Sequence, residues 1–319
     1  MPLCINGMPN KRMKILQINK FFWSKGGSET YYFELMKLLE QAGHTVIPFS
    51  MQDKRNQTSR YEKFFVPHID FQSTEVGLKQ AVQFLYSKEA CQRLEALILE
   101  ERPDLAHVHN IAHQLTPAIL PILKKHRIPV VQTLHDYQLI CPNYKLYTQG
   151  SVCERCFKHK YYNAALHKCL KDSAAGGALG AIELTLHRLI LRSYDKVDIF
   201  ICPSRFLFDR LVAWGIPEQK LRYVPNFVSP VDMPSVGIKE QTGGAFLFVG
   251  RLMKEKGIDL FFEAARALPE IEFAVAGQAK TPEQTAVYAA QAQALPNLTW
   301  HGHISDKAEL RKLMAQAKA

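Results

Sequence analysis

Two cations at a glycine-flanked turn are the residues of this 319-residue chain whose spacing most clearly suggests chemistry. The segment GRLMKEKG occupies residues 250–257, between an apolar run and an amphipathic stretch. Arginine binds a phosphate through two parallel N–H groups, and lysine binds it as a point charge. We therefore predict that Arg251 and Lys256 hold a diphosphate beside Gly250. The alternative is that both side chains only extend into solvent.

Gly26 and Gly27 form a second candidate turn, between the first predicted strand and the first predicted helix. Two adjacent glycines let the backbone approach a phosphate or a sugar without an intervening Cβ atom. The helix start behind them offers unpaired N–H groups to an anion. An ordinary tight turn is the alternative. The sequence has no G-x-G-x-x-G motif, which argues against a nicotinamide- or flavin-dependent dehydrogenase.

Polar residues at the ends of two further predicted strands form a third candidate group. His135 and Asp136 end one strand, and His107, His109 and Asn110 end its neighbour. In open α/β folds, ligands bind at the carboxyl edge of the sheet, where these strands end. These residues are therefore candidates to orient a substrate or to handle protons. A purely structural role for the buried histidines is the alternative.

Four cysteines, Cys141, Cys153, Cys156 and Cys169, have the spacing C-x11-C-x2-C-x12-C within a polar insert. A pair two residues apart with a further cysteine on each side fits a structural four-thiolate zinc site. His159 and His167 are nearby residues that could replace one ligand. Four reduced thiols without metal are the alternative, and the spacing does not decide between the two.

The elements that carry these residues follow the alternation of apolar runs and amphipathic stretches that is typical of parallel α/β folds. Strands are predicted over residues 14–18, 45–50, 104–110, 129–135, 198–202, 221–225, 245–249, 271–276 and 298–301. Helices are predicted over 28–42 with Ser28 as N-cap, from 116, up to 192, after Ser204, over 257–268 and from 305. The fold class is therefore α/β with two Rossmann-like domains.

The domain organisation follows from where this alternation stops and restarts. It predicts a tail without fixed structure at 1–12, an N-terminal Rossmann-like domain at 13–228 and a linker at 229–244 rich in Pro, Gly and Ser. The cysteine-containing insert occupies 141–169. A C-terminal Rossmann-like domain at 245–319 contains only three predicted strands, and we therefore expect it to be incomplete.

The net charge of +10 favours an anionic partner. The basic residues are scattered and match no nucleic-acid-binding module, so we expect an acidic membrane surface or a phosphorylated small molecule instead. No stretch is long and apolar enough to span a bilayer, and the first residues lack the apolar core of a signal peptide. We therefore expect a cytoplasmic protein with reduced cysteines, peripheral on the inner face of the membrane.

With these motifs assembled, the sequence resembles the retaining glycosyltransferases of family 4, which have the GT-B fold. The matching segments lie, in order, at residues 14–46, 103–110, 133–137, 200–228 and 246–268. The resemblance implies two Rossmann-like domains with a nucleotide sugar between them, a UDP- or GDP-sugar as donor, and a glycan or lipid-linked acceptor in polysaccharide or glycoconjugate biosynthesis.

The resemblance also implies roles for particular residues. Arg251 and Lys256 would hold the donor diphosphate and stabilise the leaving group, with Gly26, Gly27 and Gly250 close to it. His135 would contact the donor sugar near the reaction centre. The acceptor would lie near His109 and Asn110. The chain contains no Asp-x-Asp motif, consistent with a family that needs no catalytic divalent ion.

One feature of the family pattern is missing from the sequence. Family members carry two glutamates eight positions apart on a later segment, whereas this chain has only Glu283 and Glu309 after Gly277. We therefore expect a C-terminally truncated chain with little or no activity. A non-catalytic protein that binds a nucleotide sugar or a glycan is one alternative. An epimerase of the same architecture is another, although no acid/base carboxylates of its own stand out.

Overall fold

The computed structural model describes residues 11–68, 77–227 and 244–319. The chain divides into two units, Met1–Phe227 and Val228–Ala319, here called the N-terminal and C-terminal units. The predicted tail and linker fall almost entirely on residues 1–10 and 228–243, which lie outside the described residues. Both of those assignments therefore stay predictions.

The N-terminal unit is built on a parallel sheet of six strands. Its strands, with a short antiparallel hairpin as the fifth and sixth, are β1 (Lys14–Ile18), β2 (Thr45–Phe49), β3 (Leu105–Val108), β4 (Val130–Thr133), β5 (Tyr147–Thr148), β6 (Ser151–Val152), β7 (Ile199–Cys202) and β8 (Leu221–Tyr223). The sheet order is β2-β1-β3-β4-β7-β8. Because every pair in this sheet is parallel, β1, β3 and β4 end side by side at one edge.

Helices cover both the sheet and the insert of the N-terminal unit. They are α1 (Gly27–Gln41), α2 (Leu78–Leu85), α3 (Lys88–Glu101), α4 (Ile119–Lys125), α5 (Asn163–Leu166), α6 (Ala174–Thr185) and α7 (Arg205–Ala213). Short 3-10 helices occupy Glu62–Phe64, Phe157–His159, Ser193–Lys196 and Glu218–Lys220, and α6 continues into a π-helical turn at Leu186–Ile190. The core consists of the apolar strand residues, such as Leu16, Ile47 and Ala106, with Leu94 and Leu97 from α3.

Two predicted helix starts have different outcomes. Ser204 is the N-cap of α7, and its hydroxyl accepts a hydrogen bond from the N–H of Leu207, as predicted. The prediction that Ser28 caps α1 is wrong. The helix begins one residue earlier, at Gly27. Its N-cap is Gly26, which has an extended backbone and no side chain that could accept a hydrogen bond. The hydroxyl of Ser28 instead donates to Glu29.

The C-terminal unit has a parallel three-stranded sheet. Its strands are β9 (Phe246–Val249), β10 (Phe273–Ala276) and β11 (Leu298–Gly302), in the order β11-β10-β9. Its helices are α8 (Ile258–Ala267), α9 (Pro282–Gln293) and α10 (Lys307–Gln316), with a 3-10 turn at Lys254–Lys256. Leu252, Ile258, Phe262 and Val275 form a separate small core. The two units therefore have the α/β layering of Rossmann-like folds.

Within 11–68, 77–227 and 244–319, no helix has both the length and the apolar character that crossing a bilayer requires.

Candidate functional site

A chain of buried side-chain hydrogen bonds crosses the carboxyl edge of the N-terminal sheet. Nε2 of His109 lies 2.9 Å from Oε1 of Gln17, and Nδ1 of His109 lies 2.9 Å from Nε2 of His135. Gln17 is in β1, His109 follows β3 and His135 follows β4, so three neighbouring strands each contribute one member. Two of the predicted histidines, His109 and His135, are thus hydrogen-bonded to each other. Gln17, which was not predicted as a site residue, is hydrogen-bonded to His109.

The direction of these hydrogen bonds fixes the proton on each ring. The amide oxygen of Gln17 can only accept, so Nε2 of His109 carries the hydrogen. Burial lowers the pKa of His109 well below its usual value, with smaller contributions from His107 and His135, and the ring is therefore neutral. Nδ1 of His109 must then accept, and Nε2 of His135 donates to it.

His135 is accordingly a neutral ring with its lone pair on Nδ1. Burial lowers the pKa of His135 to about 4, because the charged form loses its hydration there. Nδ1 makes no hydrogen bond with any other described residue. At neutral pH, His135 can therefore accept a hydrogen bond from a hydroxyl group, but it carries no proton that it could give up as an imidazolium acid.

A second branch of the same network leads to α1. The amide nitrogen of Gln17 faces Nδ1 of His107 at 3.4 Å, and Nε2 of His107 lies 2.8 Å from the hydroxyl of Thr133. The Thr133 hydroxyl also hydrogen-bonds to Tyr31, and the Tyr31 ring packs edge-on against His135, with ring centroids 5.2 Å apart. Burial lowers the pKa of His107 to about 4 as well, with a further contribution from His135.

The Gly26–Gly27 turn begins the helix that carries Tyr31. A Cβ atom on Gly27 would meet nothing within 4 Å, so the space beside this residue is open. On Gly26, the nearest atom to an added Cβ would be Oε2 of Glu29, at 3.8 Å. The backbone at the start of α1 is therefore open to approach, and the binding of a phosphate or a sugar there stays a prediction.

Charged side chains surround the loops next to this network. Burial lowers the pKa of Lys20, an effect opposed by the negative charges of Asp136, Glu183 and Glu29. Burial raises the pKa of Asp136, partly offset by a hydrogen bond from the N–H of Gln138. Glu183 is 1% exposed, and its Oε1 has no hydrogen-bond partner among the described residues. This group offers both donors and acceptors to a polar ligand.

The two acceptor-side residues of the sequence analysis have different environments. His109 is 2% exposed, and both of its ring nitrogens are bonded to protein, so it acts on a ligand only through His135. The backbone of Asn110 is tied to the loop after β1, because its N–H donates to Asn19 and its carbonyl accepts from Lys20. Its side chain remains half-buried at the sheet edge.

In the C-terminal unit, two glycines shape the turn predicted to bind a diphosphate. Gly250 follows β9 with φ 151°, and Gly277 follows β10 with φ 154°. A Cβ atom on Gly277 would lie 1.8 Å from the carbonyl oxygen of Gly250, so only glycine allows the two turns to pack this closely. The turn that contains Gly250 and Arg251 is therefore held in place by the turn after the neighbouring strand β10.

Arg251 and Lys256 lie on this turn with their side chains exposed. Neither side chain makes a hydrogen bond or an ion pair with another described residue, whereas buried Leu252 between them anchors the segment in the core. Gly257, with φ 78°, then directs the chain into α8. The two predicted cations therefore stand unpaired at the carboxyl edge of the second parallel sheet, where anionic ligands bind in such folds.

The four cysteines of the insert come together around one small cavity. As placed, no group of three or more His, Cys, Asp or Glu side chains within the described ranges is arranged so that it could hold a metal ion. His159 instead pairs with the hydroxyl of Tyr161, and neither His159 nor His167 borders the cavity.

Two residues at the site that were not selected from the sequence, Gln17 and Glu183, do carry a signal in it. Gln17 interrupts the otherwise apolar strand KILQI, and Glu183 interrupts an apolar helix. A polar residue within an apolar strand or helix indicates a site more strongly than an apolar residue does, because its burial has to be compensated by hydrogen bonds. Tyr31 gave no such signal, because it is one of several aromatic residues on the amphipathic helix α1.

Two Rossmann-like units with parallel sheets, each with a glycine turn at the carboxyl edge, are the components of the GT-B fold. The chain belongs to Glycosyltransferase Family 4, whose family model matches residues 25–231. The model for Glycosyl transferases group 1 matches residues 234–319. The predicted membership of glycosyltransferase family 4 is thereby confirmed, whereas retention and C-terminal truncation stay predictions.

Individual relatives agree with this assignment. The chain is 23% identical over 283 residues to an uncharacterized 42.6 kDa protein in the cps region of Klebsiella pneumoniae, covering 83% of this chain and 68% of that protein. It is 33% identical over 101 residues to an alpha-galactosylglucosyldiacylglycerol synthase of Streptococcus pneumoniae, covering 28% and 27% of the two chains. A lipopolysaccharide outer core galactosyltransferase has a similar fold, with a TM-score of 0.56 and 17% identity, over 96% of this chain and 73% of the other.

Proposed function

We propose that this chain is a retaining glycosyltransferase of the hexosyltransferase type that uses a UDP- or GDP-sugar as donor. The observation that carries the proposal is the turn at Gly250, where Arg251 and Lys256 stand exposed and unpaired beside a glycine contact that fixes the backbone. An anion with two negatively charged groups is the ligand that two such cations favour. A nucleoside diphosphate sugar has this chemistry.

The cations would act mainly on the leaving group. As the bond between the sugar and the diphosphate breaks, negative charge grows on the departing oxygen, and fixed positive charges stabilise it more than they stabilise the ground state. We assign the bidentate contact to Arg251 and the point charge to Lys256. In this proposal the two cations take the place of a divalent metal ion.

His135 would hold the donor sugar. Its lone pair on Nδ1 accepts a hydrogen bond from a sugar hydroxyl, and its orientation is fixed through His109 and Gln17. The neutral ring suits this task at physiological pH, since the pKa of His135 is about 4. His109 is a positioning residue, because it has no free nitrogen with which to contact a substrate.

The acceptor would bind beside the N-terminal sheet edge. Asn110 offers an amide there, and half-buried Lys20 and Asp136 lie on the loops after β1 and β4. These groups suit the hydroxyls of a glycan or of a lipid-linked sugar. The names of the relatives agree with such acceptors, since they refer to the cps region, to lipopolysaccharide and to a diacylglycerol glycolipid.

An anionic membrane surface on the cytoplasmic side is the place where we propose that the protein works. The net charge is +10. Large apolar side chains are strongly exposed in the insert and the following helix, with Val152, Leu166 and Ile190 each more than two-thirds exposed. Lysines and arginines are interspersed with them along the sequence. Apolar contacts and cations together favour binding to acidic lipid headgroups.

Nucleotide release tests the function directly. The purified chain is incubated at high concentration with a panel of UDP- and GDP-sugars, and free UDP or GDP is measured with and without lipid extract as acceptor source. We expect slow release from one donor class. The rate should be at least tenfold lower in Arg251→Ala, which corresponds to a loss of about 1.4 kcal/mol in transition-state stabilisation. Absence of both release and binding for every donor would refute the proposal, whereas binding without release would favour the non-catalytic alternative.

Retention is tested on the product. Proton NMR of the transferred sugar distinguishes the two anomers by their coupling constants, and we expect the product to have the configuration of the donor. An inverted product would contradict the proposed mechanism but not the use of a nucleotide sugar.

A further inference from the structure

Four cysteines from separate parts of the insert border one small cavity. Cys141 lies in the loop after β4, Cys153 follows the β5–β6 hairpin, Cys156 precedes a 3-10 helix, and Cys169 lies between α5 and α6. All four line the same cavity, about 10 Å³ in volume, together with Pro142, Asn143, Tyr147 and Ala164. This volume accommodates one sphere the size of a water molecule. An organic ligand does not fit, but a single ion does.

Backbone contacts within the insert bring these thiols together. The hairpin places Cys153 beside Leu146, whose carbonyl accepts the Cys153 N–H. The N–H of Cys169 donates to the carbonyl of Ala164, next to the cavity. Gly177 allows α6 to lie against the same residue, since an added Cβ would come within 2.1 Å of the Ala164 oxygen. The convergence therefore rests on contacts between all parts of the insert.

Backbone N–H groups lie close to two of the four sulfur atoms. Backbone hydrogen bonds from Leu146, Asn143 and Lys145 reach Cys141, and one from Ala164 reaches Cys156. Such N–H groups stabilise a negatively charged sulfur and hold it in a fixed direction, as do the outer partners of metal ligands in general. Thr148 makes a side-chain hydrogen bond with Cys169. None of the four cysteines is in a disulfide.

A divalent cation at the centre of the cavity would face all four sulfur-bearing side chains, because all four cysteines line it. Exposed Arg155, Lys158 and Lys168 on the same insert offset the negative charge left on a four-thiolate complex.

We propose that Cys141, Cys153, Cys156 and Cys169 bind one Zn²⁺ ion in a structural, four-thiolate site. Zinc takes four ligands tetrahedrally at about 2.3 Å from sulfur, and no position remains open for a substrate. The thiols have to turn inward onto the cavity to reach this distance, because within the described residues no such group is yet arranged to hold a metal.

The site has a consequence for the loop that carries His135. Cys141 is joined to this loop, since its N–H donates to the carbonyl of Tyr137, and the N–H of Tyr137 donates to the carbonyl of Tyr144. A metal bound to Cys141 and to three cysteines farther along the chain would fasten the whole insert to the end of β4. We expect bound zinc to stabilise the insert without taking part in sugar transfer.

Metal analysis of the whole chain tests the proposal. The protein is purified in the presence of a thiol reductant, desalted, and its metal content per chain measured by mass spectrometry. We expect one zinc per chain. The variant Cys153→Ser/Cys156→Ser should lose it, whereas Cys91→Ser/Cys202→Ser should keep it, since Cys91 in α3 and Cys202 in β7 lie away from the cavity. Zinc retained in the first variant would overturn the proposal.

Cobalt substitution covers the case in which the first variant does not fold. Co²⁺ added to the metal-free wild-type chain should give the intense sulfur-to-cobalt charge-transfer bands and the visible bands of tetrahedral cobalt, and zinc should displace them at one equivalent. No such bands, together with no bound zinc, would overturn the proposal. So would an intact mass showing that these cysteines form disulfides in the protein as isolated.

Discussion

Gln17 is the residue on which the protonation pattern of the N-terminal site depends. Its amide oxygen accepts from His109 and its amide nitrogen faces His107, so one side chain fixes the tautomers of both rings. In Gln17→Leu, both rings lose a buried partner. We expect a loss of about 1–3 kcal/mol in the free energy of unfolding. We also expect a mixed tautomer for His135, seen in its ¹⁵N chemical shifts. Gln41→Leu makes the same chemical change at an exposed position and should leave both readouts unchanged.

The buried histidines make stability depend on pH in a defined window. The pKa of His107 is about 4 in the folded chain and about 6.5 in the unfolded chain, so the unfolded chain binds more protons between these values. The free energy of unfolding therefore falls as the pH drops from about 6.5 towards 4. We expect His107→Gln to flatten this slope by up to about 1.4 kcal/mol per pH unit in urea titrations. His303→Gln, at an exposed position, is the control. If it flattened the slope of unfolding free energy against pH as much as His107→Gln does, the slope could not be attributed to buried His107.

At the scale of elements, the contact between the turns after β9 and β10 determines the shape of the donor turn. Gly277→Ala would place a methyl group 1.8 Å from the Gly250 oxygen. Because backbone has to move, we expect a loss of about 1–3 kcal/mol in stability and weaker nucleotide binding. Gly302→Asn is a suitable control, since nothing lies within 4 Å of that position and asparagine tolerates its φ of 69°. Unfolding by urea and calorimetric titration measure the two effects.

The sequence predicted most elements of this fold because apolar runs mark parallel strands clearly. β1 has its predicted bounds, and most other strands are one or two residues shorter at an end. Helix α9 was not predicted, because it is rich in alanine and glutamine and buries only Ala292, so no apolar stripe marks it. Helices α2 and α3 follow a stretch without clear periodicity and were also not assigned. The local pattern of apolar residues thus predicts those helices and strands that bury a continuous apolar face.

The contacts within the candidate site could be predicted only in part. The histidines were expected at one edge, because parallel strands end together. Their pairing depends on β3 lying between β1 and β4, which is a property of the sheet order and not of any local pattern. The contact between Gly250 and Gly277 likewise joins two turns far apart in the sequence. The spacing of the four cysteines did indicate their convergence, because it is a short-range feature.

At the scale of the whole molecule, the positive net charge and the exposed apolar side chains predict binding to anionic membranes. We expect the chain to sediment with vesicles that contain phosphatidylglycerol and not with vesicles of phosphatidylcholine alone. Binding should weaken steeply as the salt concentration rises, because screening shortens the reach of the surface charges. Equal binding to both vesicle types, or none at low salt, would contradict a peripheral location on an anionic surface.

The most direct test of the central claim is calorimetric titration of the chain with UDP, GDP and their sugar derivatives. Arg251→Ala and Lys256→Ala are compared with Arg266→Ala, which removes the same charge at the far end of α8. We predict saturable binding of one nucleotide class that weakens at least tenfold in the first two variants and is unchanged in the third. Binding that is equal in all four proteins, or absent from the wild-type chain, would contradict the assignment of the donor diphosphate to this turn.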